Sequence, residues 1–390
     1  MTAGLDGDAI AYHRLLERLT GHLRAYYRNR FARIGHGPAE AEDLLQEVLI
    51  AVHTHRHTYD LLQPFTPWIH AIARYKFLDY LRRTKYSFKD MPIERAEELT
   101  ADSDMAAIES GLDLHRLMSQ ISLKARKAIQ YVKLEGLSVS EAATRCGNIG
   151  VGRKGGRASR LEGVGVTGSQ GERSVNTDRL IDALSANLER VSHGRLEKTL
   201  ILAMVTGGAA AFALMLATVG PRPDLQSTAH LEWSAIKLLY ALSVIGAGVP
   251  FLIRSMRPGS ENGTHWPVIL FPLVATIVVA FVMLVLGRLQ PWREMLFGAS
   301  TFSPARCLLC ITFFSAIPLA VLIWALRKGA PIRLRICGAI AGIVAGGLGA
   351  AAYGLACMSD TIPFIAIWYG AAIAICAVVG AQVGPSLLRW

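Results

Sequence analysis

The sequence predicts an all-α chain: a soluble helical part followed by a six-helix transmembrane bundle. Three observations predict it. Charge is uneven, with 25 of the 41 Lys+Arg and 21 of the 30 Asp+Glu in residues 1–174 and only 16 and 9 in the remaining 216. Six apolar stretches of roughly 20 residues follow Thr199, each long enough as a helix to cross about 30 Å of hydrocarbon. Before them, apolar residues recur at helical spacing. The overall 18% of charged residues falls below the roughly one quarter usual in soluble proteins. Of six cysteines, Cys146 stands alone and five lie in the apolar half, which excludes a secreted disulfide framework. The opening MTAGLDGDAI has neither a basic nor an apolar signal region, so no cleavable signal is expected.

Residues 9–34 form the first predicted helix, with one basic face. Pro38 opens a second, PAEAEDLLQEVLIAVHTH, whose Glu40, Glu42 and Asp43 suit the positive end of the helix dipole. Leu44, Val48, Leu49 and Val52 make its apolar stripe and leave Asp43, Gln46 and Glu47 on or near the outer face. Phe65-Thr66-Pro67-Trp68 opens a third helix. It interleaves Trp68, Tyr75, Phe77 and Tyr80 with Arg74, Lys76, Arg82, Arg83 and Lys85. Cations track phosphates and aromatic faces stack unpaired bases. The same spacing also fits an amphipathic core helix with a solvated basic face, the commoner case. His53, His55 and His57 have no Cys or acidic ligand beside them and read as solvated side chains. Cys307 and Cys310 have zinc-like spacing without a second pair. No nucleophile–base set, phosphate loop or metal cluster is evident, so no catalysis, cofactor or metal is expected.

Residues 91–110 read as an acidic linker. In 111–146, Gly136 supplies a turn, Ser138 caps the next helix and Glu141 closes a capping box, as in the first half of a helix-turn-helix. Residues 147–174 hold nine Gly among 28 residues and no apolar period, and read as a flexible linker. NTDRLIDALSANLERV follows, with Leu180, Ile181, Leu184 and Leu188 on one face. That face suits a groove on a partner or, given Arg190, Arg195 and Lys198, a lipid surface.

The spans are expected near 199–220, 235–253, 266–287, 307–326, 336–356 and 362–382. Basic residues favour one side: Arg190, Arg195, Lys198, then Arg254 and Arg257, then Arg327, Lys328, Arg333 and Arg335, then Arg389. This places both termini in the cytoplasm. Lys237 is expected to snorkel from near a span end. The lack of other ionisable groups within spans argues against transport. In this orientation Cys307 opens the fourth span and Cys357 follows the fifth, both at the outer face. There, exposed thiols pair or bind a soft metal; the alternative is Cys as a small apolar residue.

Residues 12–146 resemble the extracytoplasmic-function (ECF) sigma factors. Asp43-Leu44-Leu45-Gln46-Glu47-Val48 matches their core-polymerase contact. Phe65–Arg74 and Asp79-Tyr80-Leu81-Arg82-Arg83 match their promoter-melting helix, and Tyr131–Ala143 matches region 4. The resemblance implies sigma region 2 over 1–90 and a partial region 4 over 111–146. Core RNA polymerase would bind through Asp43, Gln46 and Glu47, and melted promoter DNA through Trp68, Arg74, Tyr75, Lys76, Tyr80, Arg82 and Arg83. Tyr75 departs from the family, which usually has a small polar residue there.

The recognition helix of region 4 belongs where 147–174 stands. A permitted back-translation from Ile149 onward, read one nucleotide later, gives Ser-Glu-Ser-Ala-Val-Lys-Val-Gly-Val-His-Arg-Gly-Leu-Lys, which is similar to such a helix. As written, the chain is expected to dock on polymerase and to recognise promoters poorly, because Gly costs about 1 kcal/mol per helical position. Residues 175–390 resemble the six-span membrane anti-sigma proteins of the NrsF type. The resemblance rests on NTDRLIDALSANL, on SPARCLLCITFFSAIPLAVLIWALRKGAP and on Cys357–Phe364 with Ile367-Trp368-Tyr369. It implies sequestration of the sigma half at the bacterial inner membrane under stress control, with Leu180, Leu184 and Leu188 binding sigma and Cys307 and Cys357 sensing. Two other functions compete. A membrane-tethered DNA-binding regulator needs an intact recognition helix, and a transporter with a regulatory domain needs polar groups deep in the spans.

Overall fold

The computed structural model describes residues 1–84, 168–186, 188–191, 194–223, 228–259, 267–286, 296–297 and 304–390. The linker at 91–110, the helix-turn-helix at 111–146 and the stretch with the alternative reading frame lie outside them. The described residues are helical, with no strand among them. The elements are α1 (Thr2–Leu5), α2 (Ala9–Arg33), α3 (Pro38–Thr54), a 3₁₀ turn (Arg56–Thr58), α4 (Phe65–Arg83) and α5 (Gly168–Ala186). Among the described residues, six helices are long and apolar enough to cross a membrane: α6 (Arg195–Thr218), α7 (Thr228–Ser255), α8 (Pro267–Leu286), α9 (Pro304–Leu326), α10 (Leu334–Tyr353) and α11 (Ile362–Leu387). A π-helical stretch, Ile365–Tyr369, interrupts α11. The stretch read as a Gly-rich linker is helical in its last seven residues, since α5 begins at Gly168.

The chain divides into two compact units. One comprises Gly21–Gln46 and Lys76–Leu180. Its core is aromatic: Phe31 meets Phe77 edge-on at 5.6 Å and Tyr80 at 5.2 Å between ring centroids. Edge-to-face pairs at these distances are favourable beyond the area they bury. Leu23, Tyr27, Leu44 and Leu45 fill the rest and are almost fully buried.

The other unit comprises Met1–Thr20, Glu47–Tyr75 and Ile181–Trp390. Its centre is α10, which packs against α6, α7, α9 and α11. Small residues allow this. A side chain at Gly338 would run into the Gly380 carbonyl, and one at Gly342 into the Cys376 carbonyl. Lipid offers no hydrophobic drive between helices, so such close backbone approach is what holds spans together. The outward faces carry exposed Leu202, Leu239, Phe271, Phe281 and Phe313, as a surface solvated by acyl chains should. Two apolar clusters fill the bundle, one at the basic end around Leu200, Leu252, Leu326 and Val344, the other at the cysteine end around Phe314, Tyr353 and Tyr369.

Candidate sigma-binding surfaces and a buried cysteine site

Within the first unit, α3 and α5 share a polar contact. Arg24 forks onto Glu42 through Nε (2.9 Å) and Nη2 (2.7 Å). The Thr177 hydroxyl donates to Glu42 Oε1 at 2.8 Å and accepts from Gln46 Nε2 at 3.0 Å. Burial alone pushes the Glu42 carboxyl up; the hydrogen bonds from Arg24 and Thr177 outweigh it and hold the group below its ordinary value. The fully buried row of α5 is Thr177, Ile181 and Ser185, while Leu180, Leu184 and Leu188 are half-buried.

Within the second unit, residues 47–75 meet the basic end of the spans. Arg257, just past α7, donates to Asp60 at 2.7 Å and to Glu197 at 2.9 Å. His57 Nε2 donates to the Lys328 carbonyl at 2.7 Å. The Tyr75 ring stacks on the Trp390 indole, 4.7 Å apart and 15° from parallel, and Trp390 Nε1 donates to the Pro331 carbonyl at 3.0 Å. Tyr75 is 2% exposed. Farther along, His13 lies 2.9 Å from Asp182, and the Val191 amide donates to the Leu5 carbonyl at 3.0 Å.

At the opposite end of the spans, Cys307 in α9 and Cys357 after α10 bring their sulfurs to 3.7 Å, with Tyr353 Oη 3.6 Å from Cys307. Beside them Asp360 gathers three basic side chains: Arg222 at 3.0 Å, His230 at 2.9 Å and Lys237 at 2.9 Å. Lys237 also donates to the Cys357 carbonyl at 2.8 Å, and the Arg222 amide donates to the Leu355 carbonyl at 3.2 Å. Burial pushes the Asp360 carboxyl up, but Lys237, His230 and Arg222 outweigh it, so its pKa lies below the ordinary 3.8. The Cys357 thiol is lowered first by its hydrogen bond with Cys307; burial opposes this and the Lys237 charge adds to it. A thiol so lowered is a better nucleophile and metal ligand than an ordinary one.

The comparisons with known proteins match these two parts separately. The family described as "Negative regulator of sigma F" (NrsF) matches residues 184–390, and the sigma-70 region 2 family matches residues 11–86. The ECF RNA polymerase sigma factor SigF of Caulobacter vibrioides is 42% identical over 147 residues, 38% of this chain and 79% of that protein. The anti-sigma-F factor NrsF of the same organism is 31% identical over 217 residues, 55% of this chain and 100% of that protein. The chain belongs to the ECF sigma factors in its first part and to the NrsF anti-sigma factors in its second. A probable anti-sigma-F factor NrsF of Azospira oryzae is 30% identical over 218 residues, again 55% of this chain and 100% of that protein. No solved structure matches the chain.

In the sigma part, Asp43 and Glu47 are exposed and Gln46 is half-buried. Arg82 and Arg83 are exposed; Arg74, Lys76 and Tyr80 are half-buried. Two aromatics assigned to base stacking face no solvent. Trp68 is 2% exposed and donates its indole N–H to the Thr58 hydroxyl at 3.0 Å, as core tryptophans do. Tyr75 is covered by Trp390.

Two expectations for the NrsF part are corrected. Lys237 does not snorkel: it is 0% exposed, because Asp360 and the Cys357 carbonyl hold its ammonium inside. Nor are the thiols exposed: Cys307 is 2% and Cys357 1% exposed. Sequence reasoning missed Arg222, His230 and Asp360 as a set. The available signal was Lys237, since an ionisable group within a span has a specific partner by default. Among the described residues, no cluster of three or more His, Cys, Asp or Glu could hold a metal ion.

Proposed function

We propose that the NrsF part holds the sigma part inactive at the inner membrane, with both termini in the cytoplasm, and releases it when the Cys307–Cys357 pair is modified. Released sigma then docks on core RNA polymerase through Asp43, Gln46 and Glu47 and opens promoter DNA. The chain performs no catalysis in this reading. The observation that carries it is Tyr75: the side chain assigned to melted DNA is stacked on the last residue of the NrsF part. Single-stranded DNA and Trp390 compete for one aromatic face. The contact of Thr177 with Glu42 and Gln46 supports a second point of interference, on the helix assigned to polymerase.

Co-purification of core polymerase with the full chain tests this reading. The docking expected from the sequence is suppressed while the NrsF part holds the sigma part, so the parent chain captures little. Leu184→Asp with Leu188→Asp, which puts charge on the partly buried face of the connecting segment, raises capture about tenfold, a change of about 1.4 kcal/mol in the balance between closed and open forms. Adding Asp43→Ala and Glu47→Ala removes the gain. If the Leu variants capture no more polymerase than the parent, these leucines do not hold the sigma part.

For the trigger, the sulfur separation fits two events. A disulfide needs about 2.05 Å, so the gap closes by roughly 1.7 Å while two protons and two electrons leave to an oxidant. A soft cation with bonds of about 2.3 Å to both sulfurs in tetrahedral geometry spans roughly 3.8 Å and displaces the thiol protons. Cys307→Ser and Cys357→Ser, singly and together, are expected to abolish the rise in sigma-dependent transcription after metal or oxidant exposure. An unchanged rise in the inserted double variant overturns the trigger.

A further inference from the structure

Five cations line one cavity at the basic end of the spans: Arg56 of the 3₁₀ turn, Arg190, Arg195 at the start of α6, and Arg327 and Lys328 just past α9. Among the described residues on its wall, Glu189 is the only carboxylate. The cavity has a volume of about 460 Å³, within the range that holds a small ligand. Within the described residues these cations are poorly neutralised. Only Arg190 has a carboxylate within 4 Å, Asp6 at 3.8 Å. Arg56 spends Nη1 on the His53 carbonyl (2.7 Å) and Nη2 on the Glu189 carbonyl (3.3 Å), and its enclosed Nε has no acceptor. The N-terminus of α6, which has no side-chain cap, opens on the same wall and adds the positive end of its dipole. So many like charges around one space repel each other unless an anion sits among them.

The level of the cavity along the spans narrows the anion. Trp324, in the last turn of α9, is 55% exposed, and Lys328 Nζ lies 3.9 Å from its ring centroid. A tryptophan capped by a lysine at a span end marks the headgroup layer. Thr199, one turn into α6, also lines the cavity, so the space opens where hydrocarbon gives way to water.

The geometry points to a binding site for a phosphate-bearing anion in this cavity, one that ties the 3₁₀ turn of the sigma part to α6 and α9 of the membrane part. This rests on the proposed orientation, in which the basic end faces the cytoplasmic leaflet with its anionic lipids. A phospholipid headgroup and a free phosphate share the chemistry, and the test separates them. The full chain is placed in nanodiscs of phosphatidylcholine, alone or with one third phosphatidylglycerol, with and without millimolar inorganic phosphate, and its thermal midpoint is read. An occupied site raises the midpoint by at least about 2–4 °C. A rise with phosphatidylglycerol alone assigns the site to a lipid headgroup. A rise with inorganic phosphate in pure phosphatidylcholine assigns it to the free anion.

In either case Arg195→Gln with Lys328→Gln removes the rise. Arg333→Gln with Arg335→Gln, which takes the same charge from exposed positions off the cavity wall, keeps it. No rise with either anion, or an equal rise in the Arg195/Lys328 variant, overturns the proposal. The readout is independent of polymerase capture, so the site can fail while the sequestration reading stands, and the reverse.

Discussion

Asp360→Ala is expected to cost the membrane part about 3–5 kcal/mol, because it leaves a buried Lys237 and a buried Arg222 without their shared carboxylate. Lys237 has no exposed surface, so its charge cannot be rehydrated in place. Unfolding of the full chain in detergent, followed by helix signal or proteolysis, measures the loss. Lys237→Met combined with Asp360→Ala is expected to recover part of it, since one stranded charge is gone. A loss within 1 kcal/mol for Asp360→Ala alone shows that the cluster does not hold the fold. The pH dependence has a definite sign. The carboxyl is lowered in the folded state, so its contribution is fully present above the ordinary value of 3.8 and is lost as pH falls through the folded value. The Asp360→Ala variant accordingly loses that part of the acid sensitivity.

A second large effect is expected from Gly342→Val. The added side chain meets the Cys376 carbonyl and lies 2.7 Å from Ala377 Cα, and backbone on a neighbouring helix cannot step aside as a side chain can. Overpacking usually costs about 1–3 kcal/mol; a clash with backbone at the enclosed centre of the bundle puts this one at about 4 kcal/mol or more. The same assay carries its own control in Gly246→Ala. Nothing lies within 4 Å of a Cβ there, and alanine is the better helix former, so a gain of up to about 1 kcal/mol is expected. Equal behaviour of the two variants would mean that α10 and α11 do not pack through their glycines.

The parts of the fold written in composition were legible. Apolar runs after Thr199 located the six spans to within a few residues at most ends, because lipid demands unbroken apolar helix and the sequence has little else there. The region 2 helices were legible from spacing and from Pro38 and Phe65, where α3 and α4 begin. What escaped depends on residues distant in the chain. Arg222 and Asp360 are 138 positions apart, and each alone reads as an ordinary loop charge. Lys237 was visible but was given water as its partner, since the carboxylate that claims it lies beyond three further spans. The glycines of α10 recur every four residues, but the surface they fit, Cys376 and Gly380 of α11, exists only after folding. Trp390 carries no periodic signal, and Tyr75 stood out only as a departure from a family pattern; neither fact announces that the two rings stack.

One helix joins the two ends of the membrane part. Lys237, in the third turn of α7, grips the loop that carries Cys357; Arg257, just past the far end, grips Asp60 of the sigma part. From Lys237 to Ser255 the helix is a lever of roughly 27 Å, and a tilt of about 3° moves its far end by roughly 1.4 Å. That stroke carries a 2.7 Å ion pair past 4 Å. It is also close in size to the distance two sulfurs must travel to join. Pro250 removes one rung of the helix near the sigma end, so the lever has a joint on the side where the load is carried.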